Sequence, residues 1–132
     1  MTRIDWDATA DSFDREPDHG LLDPAVRAAW AARLRTWLPA DGRPAEVLHL
    51  GCGTGSLSLL AAEQGHRVTG VDRSPRMVDL ARIKLAGTRA EILVGDAYRP
   101  PVGERRFDVV MAVMFCGCFP MPRRRCGTGA PC

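Results

Sequence analysis

The chain has 132 residues, 45% of them hydrophobic, and a formal net charge of +2. That length suits one domain with its own core, and no apolar run approaches the ~20 residues that span a bilayer. Arg123, Arg124 and Arg125 supply three positive charges, so residues 1–120 alone sum to −1, a balance that offers no basic face to nucleic acid.

Met1–Asp7 lacks the apolar segment of a signal peptide, which points to a cytoplasmic setting. Of the 18 basic residues only Lys84 is lysine. The wealth of Arg, Ala, Gly and Pro is what GC-rich codons produce. Cys52 stands apart from Cys116, Cys118, Cys126 and Cys132. Those four are separated by one, seven and five residues, which is not the paired Cys-x2-Cys spacing of zinc sites. No metal is expected.

Residues 5–20 are polar with interspersed aromatics, Trp6 and Phe13, and read as an irregular arm or a short helix. Asp23-Pro24 opens a helix, with Asp at the cap and Pro at the first helical position. Val26, Trp30, Leu34 and Trp37 or Leu38 recur at helical spacing, and Pro39 ends the element. Trp30 and Trp37 are expected in the core. Glu46–Leu50 is the first strand, and its apolar run suits a parallel strand buried on both faces. Residues 56–64 form a helix stopped by Gly65. Arg67–Asp72 is the second strand. Ser74-Pro75 starts another helix, closed by Gly87. Glu91–Val94 is the third strand and Arg106–Val113 the fourth. This alternation predicts a parallel sheet with right-handed crossovers.

Between the first strand and its helix lies Gly51-Cys52-Gly53-Thr54-Gly55. Three alternating glycines let bare backbone approach a ligand. With Val47-Leu48-His49-Leu50 before it, the stretch resembles the first motif of class I S-adenosylmethionine (SAM)-dependent methyltransferases. The resemblance covers roughly residues 5–113. It implies a Rossmann-like α/β fold, here a partial doubly wound parallel sheet of about four strands in the order 3-2-1-4. Flanking helices and an N-terminal helical arm complete it. It also implies SAM as cofactor and a small-molecule methyl acceptor. Trp6-Asp7 through Phe13-Asp14 is similar to the aromatic-acid arm that folds over the cofactor in that family.

Ligands of such sheets sit beyond the carboxyl ends of the strands, where the glycine turn, Asp72 and Asp96 all fall. Asp72, 21 residues after Gly51, can accept both hydroxyls of a ribose; a helix cap or surface charge is the alternative. Asp96 can accept from an adenine amino group, with the Ala97 N–H reading a ring nitrogen; a solvated loop acid is the alternative. Arg73 and Met77 could flank the adenine, though Met77 could equally be core. The candidate cofactor-binding set is therefore Gly51, Cys52, Gly53, Gly55, Asp72, Arg73, Met77, Asp96 and Ala97. A dinucleotide site would want Gly-x-Gly-x-x-Gly and a helix N-terminus aimed at a pyrophosphate; here the third glycine comes one residue early. One departure from the family is His49, where Asp or Glu is usual and helps the methionine end of SAM. A neutral imidazole could accept one hydrogen bond there, whereas a charged one would repel the cofactor. His19 is the one candidate base in the arm.

A full domain of this family has seven strands, and the reading yields four. Residues 114–132 have no usable period and are expected to be irregular. Reading the third base of each codon with the next two, from Val113 on, permits a frame beginning His-Val-Leu-Trp-Leu-Leu-Pro-Asp, similar to the family's segment after the fourth strand. A truncated and frameshifted tail is the expectation and a chance match the alternative. Either way the chain alone is expected to bind SAM weakly and to methylate little. A non-catalytic SAM- or adenosine-binding or interaction module is the second reading.

Overall fold

The computed structural model describes residues 5–15, 17–39, 41–112, 125–126 and 130–131. Asp5 caps helix α1 (Trp6–Phe13) by accepting the Ala8 N–H at 3.1 Å. One helical turn, α2 (Pro17–Gly20), leads to α3 (Pro24–Trp37). Asp23 caps α3 by accepting the Ala25 N–H at 2.8 Å, and Pro24 takes the first position, where no donor is needed. Leu38 turns extended because Pro39 crowds a helical conformation before it. Then come β1 (Glu46–Leu50), α4 (Ser56–Glu63), β2 (Arg67–Asp72), α5 (Pro75–Lys84), β3 (Glu91–Val94) and β4 (Val109–Ala112). At the end of α4, Gly65 takes φ +94°, and the N–H groups of Gly65 and His66 reach the carbonyls of Ala62 and Ala61 at 3.0 and 3.2 Å. That pair of bonds is the Schellman stop.

The four strands form a parallel sheet in the order β3-β2-β1-β4, as expected. β1 is central, with His49 opposite Gly70 of β2 and Met111 of β4. Val47, Val68 and Met111 point to one face and pack with Leu34 of α3 and Leu57, Leu60 and Ala61 of α4. Ile92 joins Val78 and Ala81 of α5 in the adjoining cluster. On the other face Arg105 reaches from the loop before β4 to donate to the Thr69 hydroxyl at 3.0 Å, and Val110 remains 50% exposed.

The expected N-terminal helical arm is present, over Trp6–Phe13 and again over Pro17–Gly20. Two expectations change. β4 begins at Val109, not Arg106: Asp108 first exchanges two bonds with Glu46, backbone to backbone and carboxylate to N–H, both 2.8 Å. Val113 lies outside the described residues. Trp37 is 45% exposed, whereas Leu34 and Leu38 fill the core. Trp37 rests edge-on against the half-buried Trp30, with the Arg33 guanidinium 5.7 Å from its ring centre. Most of the expected irregular tail, residues 114–124, 127–129 and 132, lies outside the described residues; within it, β5 (Arg125–Cys126) pairs antiparallel with β6 (Ala130–Pro131).

Leu34 is fully buried between α3, α4 and the sheet. Leu34→Ala should cost about 2–5 kcal/mol of stability, read as a lower urea midpoint at unchanged slope. A loss below about 1 kcal/mol would mean that α3 does not close this core.

Candidate cofactor site

The site is built on the turn that leaves β1. Gly51, Gly53 and Gly55 all adopt positive φ, 67°, 57° and 83°, a conformation that costs an ordinary residue free energy. Space matters as well at Gly55: a Cβ there would come within 2.9 Å of Leu85 Cδ1 and 3.1 Å of Ala81 Cβ. At Gly51 the corresponding position is open, with nothing within 4 Å. The turn is bonded to β2 through Gly51 N–H and Cys52 N–H, both to Val71 O, at 2.7 and 3.1 Å.

Asp72 closes the other side of the turn. One oxygen accepts the Gly53 N–H at 3.0 Å and the other the Ser74 N–H at 2.9 Å. A carboxylate has about four acceptor positions, so each oxygen keeps capacity for a hydroxyl. Asp96 is exposed beyond β3, where it accepts the Tyr98 N–H at 2.9 Å. Ala97 and Arg73 are exposed. Met77 is 1% exposed, in the interior rather than on the open surface where a flanking residue would stand. Cys52 is buried and its thiol pushed up to about 12, chiefly by loss of solvation, so it offers packing and backbone rather than a thiolate.

Eight residues absent from the sequence-derived set hold the arm over the turn. Asp14 accepts from the Thr54 hydroxyl and from Lys84 Nζ, the latter at 2.6 Å. Lys84 also donates to Thr54 at 3.1 Å and to Ser56 at 2.8 Å. Asp7 accepts from the Ser74 hydroxyl and the Arg76 N–H, which together hold its carboxyl below the usual range. Asp11 pairs with Arg76 at 2.6 Å. Asp7, Asp11 and Asp14 recur four and three residues apart, the spacing of one helical face. That spacing was the available signal, but it has meaning only once α1 is known to lie against α5. The Phe13 ring sits 3.4 Å from where a Gly53 Cβ would stand. His19 stacks on Phe13 with centroids 4.0 Å apart and donates from Nδ1 to the Phe13 carbonyl at 3.2 Å. Phe13, His19, His49, Cys52, Thr54, Ser56 and Leu57 line a small cleft beneath the arm.

His49 is 2% exposed. Its Nδ1 lies 2.7 Å from the Ser58 hydroxyl, and its Nε2 is buried with no hydrogen-bond partner among the described residues. Loss of solvation lowers its pKa to about 4, so the imidazole is neutral at pH 7.

A family model described as "Methyltransferase domain" matches residues 47–129. The ribosomal protein L11 methyltransferase of Burkholderia mallei (strain NCTC 10229) is 41% identical over 98 residues, 69% of this chain and 32% of that protein. The structure of the CcbJ methyltransferase from Streptomyces caelestis superposes with a TM-score of 0.60 at 33% identity, covering 79% of this chain and 41% of that one. Haemonchus contortus phosphoethanolamine N-methyltransferase 1, in complex with phosphoethanolamine and S-adenosylhomocysteine, gives 0.63 at 20% identity over 81% of this chain and 23% of that one; the likeness there is one of fold. The chain spans about a third of the length of the curated relatives it matches.

Two outcomes follow from this geometry. Lys84→Met removes the cation that joins Asp14, Thr54 and Ser56. Trypsin should then cut after Arg15 several-fold faster, while global stability falls by only about 1 kcal/mol; an unchanged cutting rate would show that the arm is held otherwise. His49 makes the unfolded chain the proton-richer state between its ordinary pKa of about 6.5 and its folded value of about 4. Acid therefore destabilises across that window by about 3 kcal/mol and has no effect through His49 above it. Denaturation of His49→Leu beside the parent at pH 4.5 and 7 should show the smaller pH dependence in the variant.

Proposed function

Because this chain belongs to the methyltransferase domain family, whose cofactor is S-adenosylmethionine, we propose that the turn at Gly51–Gly55 and the carboxylate of Asp72 form the adenosyl-binding half of a methyl-transfer site with a small-molecule acceptor. The observation that carries the reading is the Asp72 carboxylate. It is bonded to the Gly53 N–H at 3.0 Å, which sets the acid and the glycine turn against one another, and its remaining lone pairs suit two ribose hydroxyls. The open position above Gly51 is where a side chain would otherwise block an approaching ligand. Asp96, Ala97 and Arg73, exposed beyond β3 and β2, are accessible to an adenine ring.

When bound, SAM supplies an electrophilic sulfonium methyl, open to in-line attack by an O, N, C or S acceptor. The contribution of the chain is positioning and exclusion of water. Asp72 orients the ribose. The arm, through Phe13 over Gly53 and Asp14 on Lys84, shields the reacting centre. The acceptor-side residues and the general base are not assigned. A second reading is a SAM- or adenosine-binding module without turnover.

Titration calorimetry on the full chain should detect SAM. Asp72→Asn should weaken it at least about tenfold, the loss of a charge-assisted hydrogen bond. Methyl-labelled SAM with a panel of small amines, hydroxyls and thiols, and with ribosomal protein L11 as a macromolecular comparison, then separates the readings. Transfer to a small acceptor supports the first and binding without transfer the second. Unchanged affinity in Asp72→Asn removes the ribose assignment.

A further inference from the structure

Of the three glycines in the turn after β1, Gly51 alone has nothing within 4 Å of the position a Cβ would take. Gly55 is backed by Ala81 of α5 and the following Leu85. Gly53 is covered by the arm: Cε1 and Cζ of Phe13 stand 3.4 and 3.5 Å from its Cβ position. Carbon atoms in contact keep about 3.5–4.0 Å between them, so a ring that close leaves no room for a ligand atom between itself and the turn. Asp72 accepts the Gly53 N–H at 3.0 Å, and a ribose on that carboxylate therefore lies beside the glycine that Phe13 covers. The cleft beneath the arm has about 200 Å³ of empty space, part of it open to solvent, less than the ~300–1,000 Å³ of a small-molecule pocket.

The ring is held there by its neighbours. His19 stacks on it with centroids 4.0 Å apart and planes 8° from parallel, and Trp6 meets it edge-on at 6.4 Å. The next residue, Asp14, accepts from the Thr54 hydroxyl and from Lys84 Nζ. Gly20 has no space for a side chain, since a Cβ would come within 2.0 Å of the Asp14 carbonyl oxygen; the turn of α2 thus rests directly on the arm's backbone. Stacking and part-exposed polar bonds of this kind open locally while the sheet stays folded.

We propose that Phe13 is an autoinhibitory plug. Its ring occupies the place over Gly53 that the cofactor needs, and the arm, latched through Asp14 and Lys84, competes with the ligand for the glycine turn. The ligand binds the fraction of chains in which the arm has opened, and its apparent affinity is reduced by that fraction. The proposal rests on the cofactor reading above. It gives the ring a sign opposite to that of a simple cover, whose contacts would add to binding: the arm shields the reacting centre only after the ring has left Gly53.

Titration calorimetry of the full chain with S-adenosylhomocysteine tests the sign. Phe13→Ala should bind it about three- to tenfold more tightly than the parent, the gain expected when a self-occupied site is freed. Binding by Phe13→Ala where the parent shows none would be the same result in its strongest form. Weaker binding in the variant would make the ring part of the ligand's site, and unchanged binding would place it outside the ligand's path; either overturns the proposal. Should a folded Phe13→Ala and the parent both fail to bind, the cofactor reading fails first and the proposal with it. Proton NMR of the parent chain gives a readout that needs no variant. A nuclear Overhauser contact between the Phe13 ring and the Gly53 α-protons should be present in the free chain and lost on saturation with S-adenosylhomocysteine. A contact that survives saturation would show that ring and ligand do not share one place, and would overturn the plug.

Discussion

The bond between the Gly53 N–H and the Asp72 carboxylate joins the two features on which the site depends. The turn after β1 has three residues with positive φ, and each gives up side-chain packing for backbone freedom. A turn of that kind needs anchoring from outside itself. Val71 supplies it by accepting two N–H groups, and Asp72 by accepting a third and, through its other oxygen, the first donor of the following cap. Parallel register between β1 and β2 brings these groups together, since Leu50 pairs with Val71. The glycine turn is therefore held by the neighbouring strand's end, and the acid that could receive a ribose is also part of the turn's support.

The arm depends on this frame in a different way. It contributes little to the sheet's own clusters, and its attachment is polar: Asp7, Asp11 and Asp14 meet Ser74, Arg76 and Lys84. The Arg76–Asp11 pair is solvent-exposed and of small worth. Lys84 is the better anchor because it is only 21% exposed and donates to three oxygens at once. An element held mainly by such contacts opens at lower cost than the sheet. That is a suitable arrangement for a cover over a site that must admit a ligand.

Much of this was readable in the residues. Asp23-Pro24 and Ser74-Pro75 mark helix starts because cap and proline act locally, and Gly65 marks a stop for the same reason. The strand order follows from parallel pairing and the resemblance of the glycine motif to the methyltransferase family. What could not be read depends on distant neighbours. Trp37 has the helical spacing of a core residue, yet Leu34 and Leu38 occupy the interior. Met77 could have faced a ligand or the core, and α5 turns it inward. Lys84 carried no motif, and its role appears only when Asp14, 70 residues away in sequence, is set beside it.

The sequence by itself determined the alternation of strands and helices, the glycine turn and the two acids at strand ends, because caps, left-handed turns and hydrophobic periods act over a few residues. Tertiary structure alone decided which groups meet at the site. The closure of the arm on α5, the paired and unpaired nitrogens of His49, and the sharing of Asp72 between turn and cap are contacts between segments far apart in the chain. Their free energy is the balance between hydrogen bonds and ion pairs gained and solvation lost, which no local pattern records.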